Sequence, residues 1–207
     1  MGEGRKGLFI VLYGSNNVGK SVQLDLLEEV WRGMDRPCVR QKWPIYKIES
    51  GRKINGVLRE GVEMEEQELQ WWFAQNRRDF EQNLKELLRE GDVLGEDYVG
   101  TGKAWGITRG VGRDVLEEYN KGLLRPDVEV LLHARKRFLG TVELRHRNED
   151  DHDGRVWRRN RDIHLRLAVD CGWHIVNANQ VREKVHADIM VVLEGRLEEK
   201  LKGWRKA

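Results

Sequence analysis

Eight consecutive residues, Gly14-Ser15-Asn16-Asn17-Val18-Gly19-Lys20-Ser21, follow the pattern G-x-x-x-x-G-K-S. The chemistry that fits this spacing is the holding of a polyphosphate. Glycines let the backbone curl until its N–H groups point inward at phosphate oxygens. Lys20 then supplies a mobile point charge for the outer phosphates, and the Ser21 hydroxyl is a hard oxygen ligand for Mg²⁺. A second candidate cluster is Glu96-Asp97, two carboxylates that close a short apolar run. Two acids so placed suit Mg²⁺ or the acceptance of a substrate proton. A helix N-cap or a solvated turn is the plain alternative for them.

The first pattern carries weight only between a strand and a helix. The run Leu8-Phe9-Ile10-Val11-Leu12-Tyr13 predicts the strand. Val22, Leu24, Leu27, Val30 and Trp31 recur near the 3.6-residue period and predict a helix from about Ser21 to Arg32, stopped by Gly33. The positive end of that helix aims at the loop. A second strand is predicted over Pro37 to Lys42, broken by Trp43-Pro44. A loop from Ile45 leads into a short helix, Arg52 to Arg59.

A long helix, about Glu65 to Glu90, carries the stripe Leu69, Trp72, Phe73, Phe80, Leu84, Leu87 and Leu88. Asn76 falls inside the stripe, with Arg77 beside it. Two readings stand for Asn76: a core amide with its hydrogen bonds satisfied, or a side chain lining a pocket. The run Asp92 to Tyr98 predicts a buried strand, so Glu96 and Asp97 stand at its carboxyl end, where open α/β sheets place ligands. Val99 to Gly106 reads as loop and short helix. A helix over Asp114 to Lys121, a strand over Val128 to Leu132, a helix over Arg158 to Cys171, a strand over Trp173 to Val176 and a helix over Val181 to Glu199 follow. The segment Leu139 to Arg161 is densely charged and reads either as a solvated loop or as a lid whose arginines close over phosphates. Five strands alternating with helices predict an α/β fold, a five-stranded parallel sheet between two helical layers.

The length of 207 residues suits one such domain, spanning 1–207. Net charge is +2, which gives no strong field toward nucleic acid or membrane. Cys38 and Cys171 lie far apart in no metal-like spacing, as expected of reduced thiols in a cytoplasmic protein. No signal-peptide pattern and no apolar run near 18 residues is found. Asn120-Lys121 is followed by Gly122-Leu123, so the N-K-x-D signature of guanine recognition is missing.

Several blocks, in order, resemble the thymidylate kinase family of P-loop nucleoside monophosphate kinases. Trp43-Pro44 resembles the family's aromatic–proline pair. Phe73-Ala74-Gln75-Asn76-Arg77 resembles Phe-x-x-Asn-Arg. Glu96-Asp97-Tyr98 with Thr101-Gly102 and Ala104 resembles Asp-Arg-Tyr…Ser-x-x-Ala. Arg147 with Glu149 resembles the lid's Arg-x-Glu, and Val176-Asn177-Ala178 resembles Val-Asp-Ala. The resemblance implies the P-loop NTPase fold and phosphoryl transfer from Mg·ATP to dTMP. Lys20 and the loop amides would hold ATP, and Ser21 with Glu96 the metal. Trp43, Arg52, Phe73, Asn76, Arg77, Asp97, Tyr98, Thr101 and Gly102 would surround the acceptor. Within that set Phe73 and Arg77 would read the base, and Tyr98 would pack on the deoxyribose. Arg147, with Arg145 or Arg155, would close on the moving phosphoryl group. A homodimer is implied too, with Trp71 and Trp72 as interface anchors or as core.

Three departures stand out. Asp97 replaces the arginine of Asp-Arg-Tyr, which clamps phosphate. Asn16 replaces an acid that meets the sugar hydroxyl, and Asn17 stands where some members place a catalytic arginine. Two further readings therefore stay open. One is a deoxynucleoside kinase with Glu96 as base, and the other is a nucleotide-binding protein that does not catalyse.

Overall fold

The computed structural model describes residues 7–136, 138 and 154–204. Five parallel strands form one sheet in the order β2-β3-β1-β4-β5. They are β1 (Phe9–Tyr13), β2 (Cys38–Lys42), β3 (Asp92–Glu96), β4 (Val128–His133) and β5 (His174–Asn177). β1 is central and buried along its whole length, which is why its sequence is an unbroken apolar run. Alternate side chains serve opposite faces. Ile10 and Leu12 join Leu24, Leu27 and Trp31 of α1 (Lys20–Gly33) and Ile189 and Leu193 of α7 (Arg182–Trp204). Phe9, Val11 and Tyr13 join Leu84 and Leu88 of α3 (Glu66–Glu90) and Ile163 and Leu167 of α6 (Arg155–Cys171). Helices thus cover both faces, the layered α/β arrangement expected.

Three shorter helices complete the chain: α2 (Glu49–Arg59), α4 (Val99–Thr108) and α5 (Arg113–Asn120). Ile54, Val57 and Leu58 of α2 pack on Leu69 of α3 in a small separate core. Most predicted boundaries shift by a residue or two, but four depart further, α7 among them, which runs on to Trp204 where Glu199 was expected. α2 begins at Glu49, before Arg52. α4 is helix throughout, not loop and short helix, because its glycines admit close neighbours: a Cβ at Gly100 would lie 2.5 Å from the Trp173 ring. α6 begins at Arg155, so the last part of the charged segment is helix and not loop. The segment 139–153, with Arg145, Arg147 and Glu149, lies outside the described residues. Among the described residues no helix is long and apolar enough to cross a membrane.

One buried carboxylate ties the lower edge of the sheet together. Asp92 Oδ1 accepts from the Leu8 N–H (2.7 Å), and Oδ2 accepts from Trp31 Nε1 (2.7 Å), while Arg36 pairs with both oxygens. Asp92→Ala would strand all of these donors, and a buried charge pair broken on one side loses roughly 3 kcal/mol or more. Urea denaturation of the variant is expected to show that loss. A midpoint equal to that of the unmodified protein would refute it.

Candidate active site

The register of β1 against β3 sets Leu12 beside Glu96. The loop that follows β1 and the carboxylates that end β3 therefore share one edge of the sheet. The loop bends where the sequence allows it. Gly14 (φ 146°), Asn17 (φ 60°) and Gly19 (φ 92°) all take positive φ. A Cβ at Gly14 would lie 2.8 Å from the Leu132 carbonyl oxygen. Asparagine tolerates the left-handed region better than other side chains. α1 starts at Lys20 directly from Gly19, so its first N–H groups open onto the loop.

Lys20 is buried, and its ammonium curls over the loop. Nζ donates to Gly14 O (2.8 Å) and Ser15 O (3.1 Å) and lies 3.4 Å from Asp97 Oδ1. The Ser21 hydroxyl donates to the Glu96 carboxylate, at 3.2 and 3.3 Å from its two oxygens. The structure thus brings Lys20, Ser21, Glu96 and Asp97 together from two segments far apart in sequence. Ser15 turns away from the loop interior, its hydroxyl donating to Asn160 Oδ1 (2.9 Å). Val18 joins the core beside α1. Asn16 and Asn17 present backbone carbonyls, to Trp157 Nε1 (2.8 Å) and to the Phe138 N–H (2.8 Å).

Glu96 is held by two cations that the sequence reading did not assign. Lys42 Nζ donates to Oε1 (2.9 Å) and Arg40 Nη2 to Oε2 (3.1 Å). The β2–β3 register, which sets Lys42 opposite Glu96, explains the contact. Burial pushes the Glu96 carboxyl up, but Lys20, Lys42 and Arg40 outweigh it and leave its pKa below the usual carboxylate range. Asp97 goes the other way. Burial and the neighbouring Glu96 charge raise it, against Lys20 and a hydrogen bond from Thr101 Oγ1 (3.1 Å). Asp97 sits at φ 62°, outside the strand, and that bend directs the chain into α4.

On the far side of β3 the long helix faces an aromatic cluster. Trp43, whose bond to Pro44 is cis, packs 4.7 Å from Tyr98 and 5.9 Å from Phe9, ring centre to ring centre. Tyr98 has no exposed surface at all. Its ring packs against Phe9, Trp43 and Arg77. Arg77 is buried as well. Nη1 donates to Asn120 Oδ1 (3.0 Å) and Nη2 to Tyr98 O (3.2 Å). Burial lowers its guanidinium to about 10, so it stays charged at neutral pH. Gly102 makes room for it, since a Cβ there would lie 2.2 Å from Arg77 Nη2. Among the described residues three buried donors of this cluster find no acceptor: Trp43 Nε1, Arg77 Nε and the Tyr98 hydroxyl.

Asn76 has the satisfied role. Oδ1 accepts from the Ile45 N–H (2.8 Å), and Nδ2 donates to Ile45 O (3.1 Å) and Ser50 Oγ (3.2 Å). The amide pins the loop after β2 to α3 and leaves no polar atom for a pocket. Phe73, one helical turn away, is half-buried beside the Leu69 core. Arg52 is exposed, and its Nη1 donates to Lys47 O (3.1 Å), away from the loop and the carboxylates. Trp71 and Trp72 stack edge-on at 4.7 Å, with Lys53 Nζ 4.7 Å from the Trp72 ring centre.

A sequence model of the family described as thymidylate kinase matches residues 12–189. The chain belongs to the thymidylate kinase family. Among similar proteins, the thymidylate kinase of Dictyostelium discoideum is 25% identical over 192 residues, covering 92% of this chain and 86% of that protein. The thymidylate kinase of Homo sapiens is 27% identical over 198 residues, covering 92% and 91%. A solved thymidylate kinase from Candida albicans superposes with a TM-score of 0.74 at 20% identity, covering 92% of each chain, which supports the fold.

Membership of the thymidylate kinase family makes the chain an enzyme of the P-loop kinase class with ATP as phosphate donor. It also sharpens the departure at Asp97. Where thymidylate kinases place a phosphate-clamping arginine, this chain puts a carboxylate against the loop lysine. Arg40 and Lys42 bring positive charge to the same carboxyl end of the sheet from β2. Their alternation along a predicted strand that ends at Lys42 was a usable signal, because side chains two apart share a face.

Proposed function

We propose that the chain transfers the terminal phosphoryl group of ATP to dTMP, giving dTDP and ADP. The observation that carries this reading is the meeting of Lys20, Ser21 and Glu96 at one sheet edge in a member of the thymidylate kinase family. Such transfer needs positioning and charge neutralisation more than covalent help from the protein. Lys20 and the amides of residues 14–21 hold the ATP phosphates. A hydroxyl and a carboxylate are the hard oxygen donors that Mg²⁺ accepts, so Ser21 and Glu96 would hold it, and it would neutralise phosphate charge. The acceptor oxygen of a monophosphate is already anionic and needs no base. Glu96, with its lowered pKa, is accordingly suited to charge work and ill suited to deprotonating a free 5′-hydroxyl. That disfavours the deoxynucleoside kinase reading.

Lys42, its side chain 59% exposed, is placed to meet the acceptor phosphate that Asp97 cannot clamp. The three buried donors without acceptors support an acceptor base lodged against Arg77, because such donors ordinarily find partners. Arg147, which lies outside the described residues, would meet the transferring phosphoryl group. The exposed edge of Trp71 supports a homodimer through α3, and the unpaired Cys38 and Cys171 support a cytoplasmic site of action.

A coupled assay with Mg·ATP and dTMP, dUMP, dCMP, dGMP or thymidine tests the reading. Turnover of dTMP without turnover of thymidine is expected. Turnover of thymidine alone would establish the deoxynucleoside kinase instead, and binding without turnover the inactive protein. Arg77→Ala is expected to raise the KM for dTMP roughly tenfold or more while the KM for ATP stays put, the size of a lost charged hydrogen bond. An unchanged dTMP KM would remove Arg77 from the acceptor site.

A further inference from the structure

The phosphate loop is held from behind by a buried polar chain. Ser15 Oγ donates to Asn160 Oδ1 (2.9 Å), Asn160 Nδ2 donates to Thr108 Oγ1 (3.0 Å), and Thr108 Oγ1 donates to Ala104 O (2.6 Å). Asn160 has no exposed surface, and Ser15 and Thr108 are buried too. The direction of the chain is fixed. A carbonyl can only accept, so the Thr108 hydrogen points at Ala104. The Thr108 oxygen therefore accepts from the Asn160 amide nitrogen, which leaves the amide oxygen facing Ser15. The Ser15 hydroxyl must donate to it.

The same face of α6 makes two more contacts. Trp157 and His164 share it with Asn160 by helical spacing. Trp157 Nε1 donates to Asn16 O (2.8 Å). His164 Nδ1 lies 3.0 Å from Asn160 O and donates to it, since burial keeps the imidazole neutral with its pKa lowered to about 3. Consecutive residues of the phosphate loop are thus fastened to α6, one through its side chain and one through its carbonyl, and α6 is fastened in turn to α4.

We infer that Asn160 is a positioning residue for the ATP phosphates. The loop combines positive φ at Gly14, Asn17 and Gly19, and because glycines leave many shapes open, one shape is held only when the surroundings select it. The amides bind phosphate tightly only if they already point inward, since ordering them on binding subtracts from affinity. The Ser15–Asn160 bond, joining residues far apart in sequence, imposes that shape before ATP arrives. None of these hydrogen bonds involves Trp43, Arg77 or Tyr98 on the acceptor side. The inference rests on the phosphoryl-transfer reading above.

The test combines calorimetric binding of Mg·ADP with steady-state kinetics for Asn160→Ala, Ser15→Ala, the double variant and Trp157→Phe. Asn160→Ala is expected to weaken Mg·ADP and raise the KM for ATP by about tenfold, the effect of about one lost hydrogen bond's worth of ordering, with the KM for dTMP within about twofold. Ser15→Ala acts in the same direction. The double variant is no worse than Asn160→Ala alone, because the two positions act through one bond. Trp157→Phe keeps nearly all the packing and weakens Mg·ADP by a smaller factor. Unchanged Mg·ADP affinity in Asn160→Ala overturns the inference, as does a uniform loss in kcat and both KM values with a lowered Tm. If Asn160→Ala does not fold, Trp157→Phe decides in the same way. Wild-type protein that fails to bind Mg·ADP would sink the phosphoryl-transfer reading itself. Wild-type binding with unaffected variants sinks only the present inference.

Discussion

Lys20→Ala is expected to lower kcat by roughly a thousandfold, the scale of losing a preorganised charge at a transferring phosphoryl group. The geometry explains both the size and the selectivity of the effect. The ammonium is the cation nearest the loop interior, held over it by Gly14 O and Ser15 O. An alanine leaves the loop amides in place but takes away the charge that follows the outer phosphates through the reaction. The fold is expected to stand, since Lys20 lies at the first position of α1 and the apolar packing of that helix begins at Leu24. Asp97 loses its nearest cationic partner, which moves its pKa, already raised by burial, further up. Rates from the coupled assay, set beside circular dichroism and a thermal melt, check this. A kcat within tenfold of the unmodified enzyme would remove Lys20 from the reaction.

Glu96→Gln is expected to lower kcat by roughly a hundredfold and to raise the Mg²⁺ concentration needed for half-maximal rate, because a neutral amide is a far poorer ligand for a hard cation. The substitution keeps the shape of the side chain. Its amide oxygen still accepts one hydrogen bond, and Arg40 retains its pairing with Asp25 and Glu28 on α1. Stability should therefore change little while the charge balance of the site changes sharply, with Asp97 left as the carboxylate beside Lys20. A magnesium titration at saturating ATP and dTMP reads the effect. An unshifted magnesium dependence would place Glu96 outside the metal's reach and leave it only the task of ordering Lys42 and Arg40.

The parts of this site that the sequence made legible are those whose physics is local. The apolar run of β1, the glycine pattern after it and the helical spacing of α1 each depend on neighbours within a few residues, and together they announced the phosphate loop. The position of Glu96 followed from the end of an apolar run. Local patterns fail where a contact depends on register or on packing between distant segments. Lys42 and Arg40 reach Glu96 only because β2 pairs with β3 in one register. Ser15 finds Asn160 across most of the chain, and a charged stretch gives no hint that its asparagine turns inward. That Tyr98 packs between Phe9 and Trp43 is likewise a matter of distant segments meeting. α4 was underestimated because glycine disfavours helix, a preference that close approach by Trp173, Arg77 and Leu116 overrides.

The missing side chain at position 102 ties two places in the chain to a common fate. Because even one methyl would intrude on the guanidinium of Arg77, alanine at 102 requires that arginine to shift from its bonds to Asn120 and Tyr98. A change at one position is therefore felt at the other. A chain without the guanidinium at position 77 would leave α4 room for a larger residue at 102.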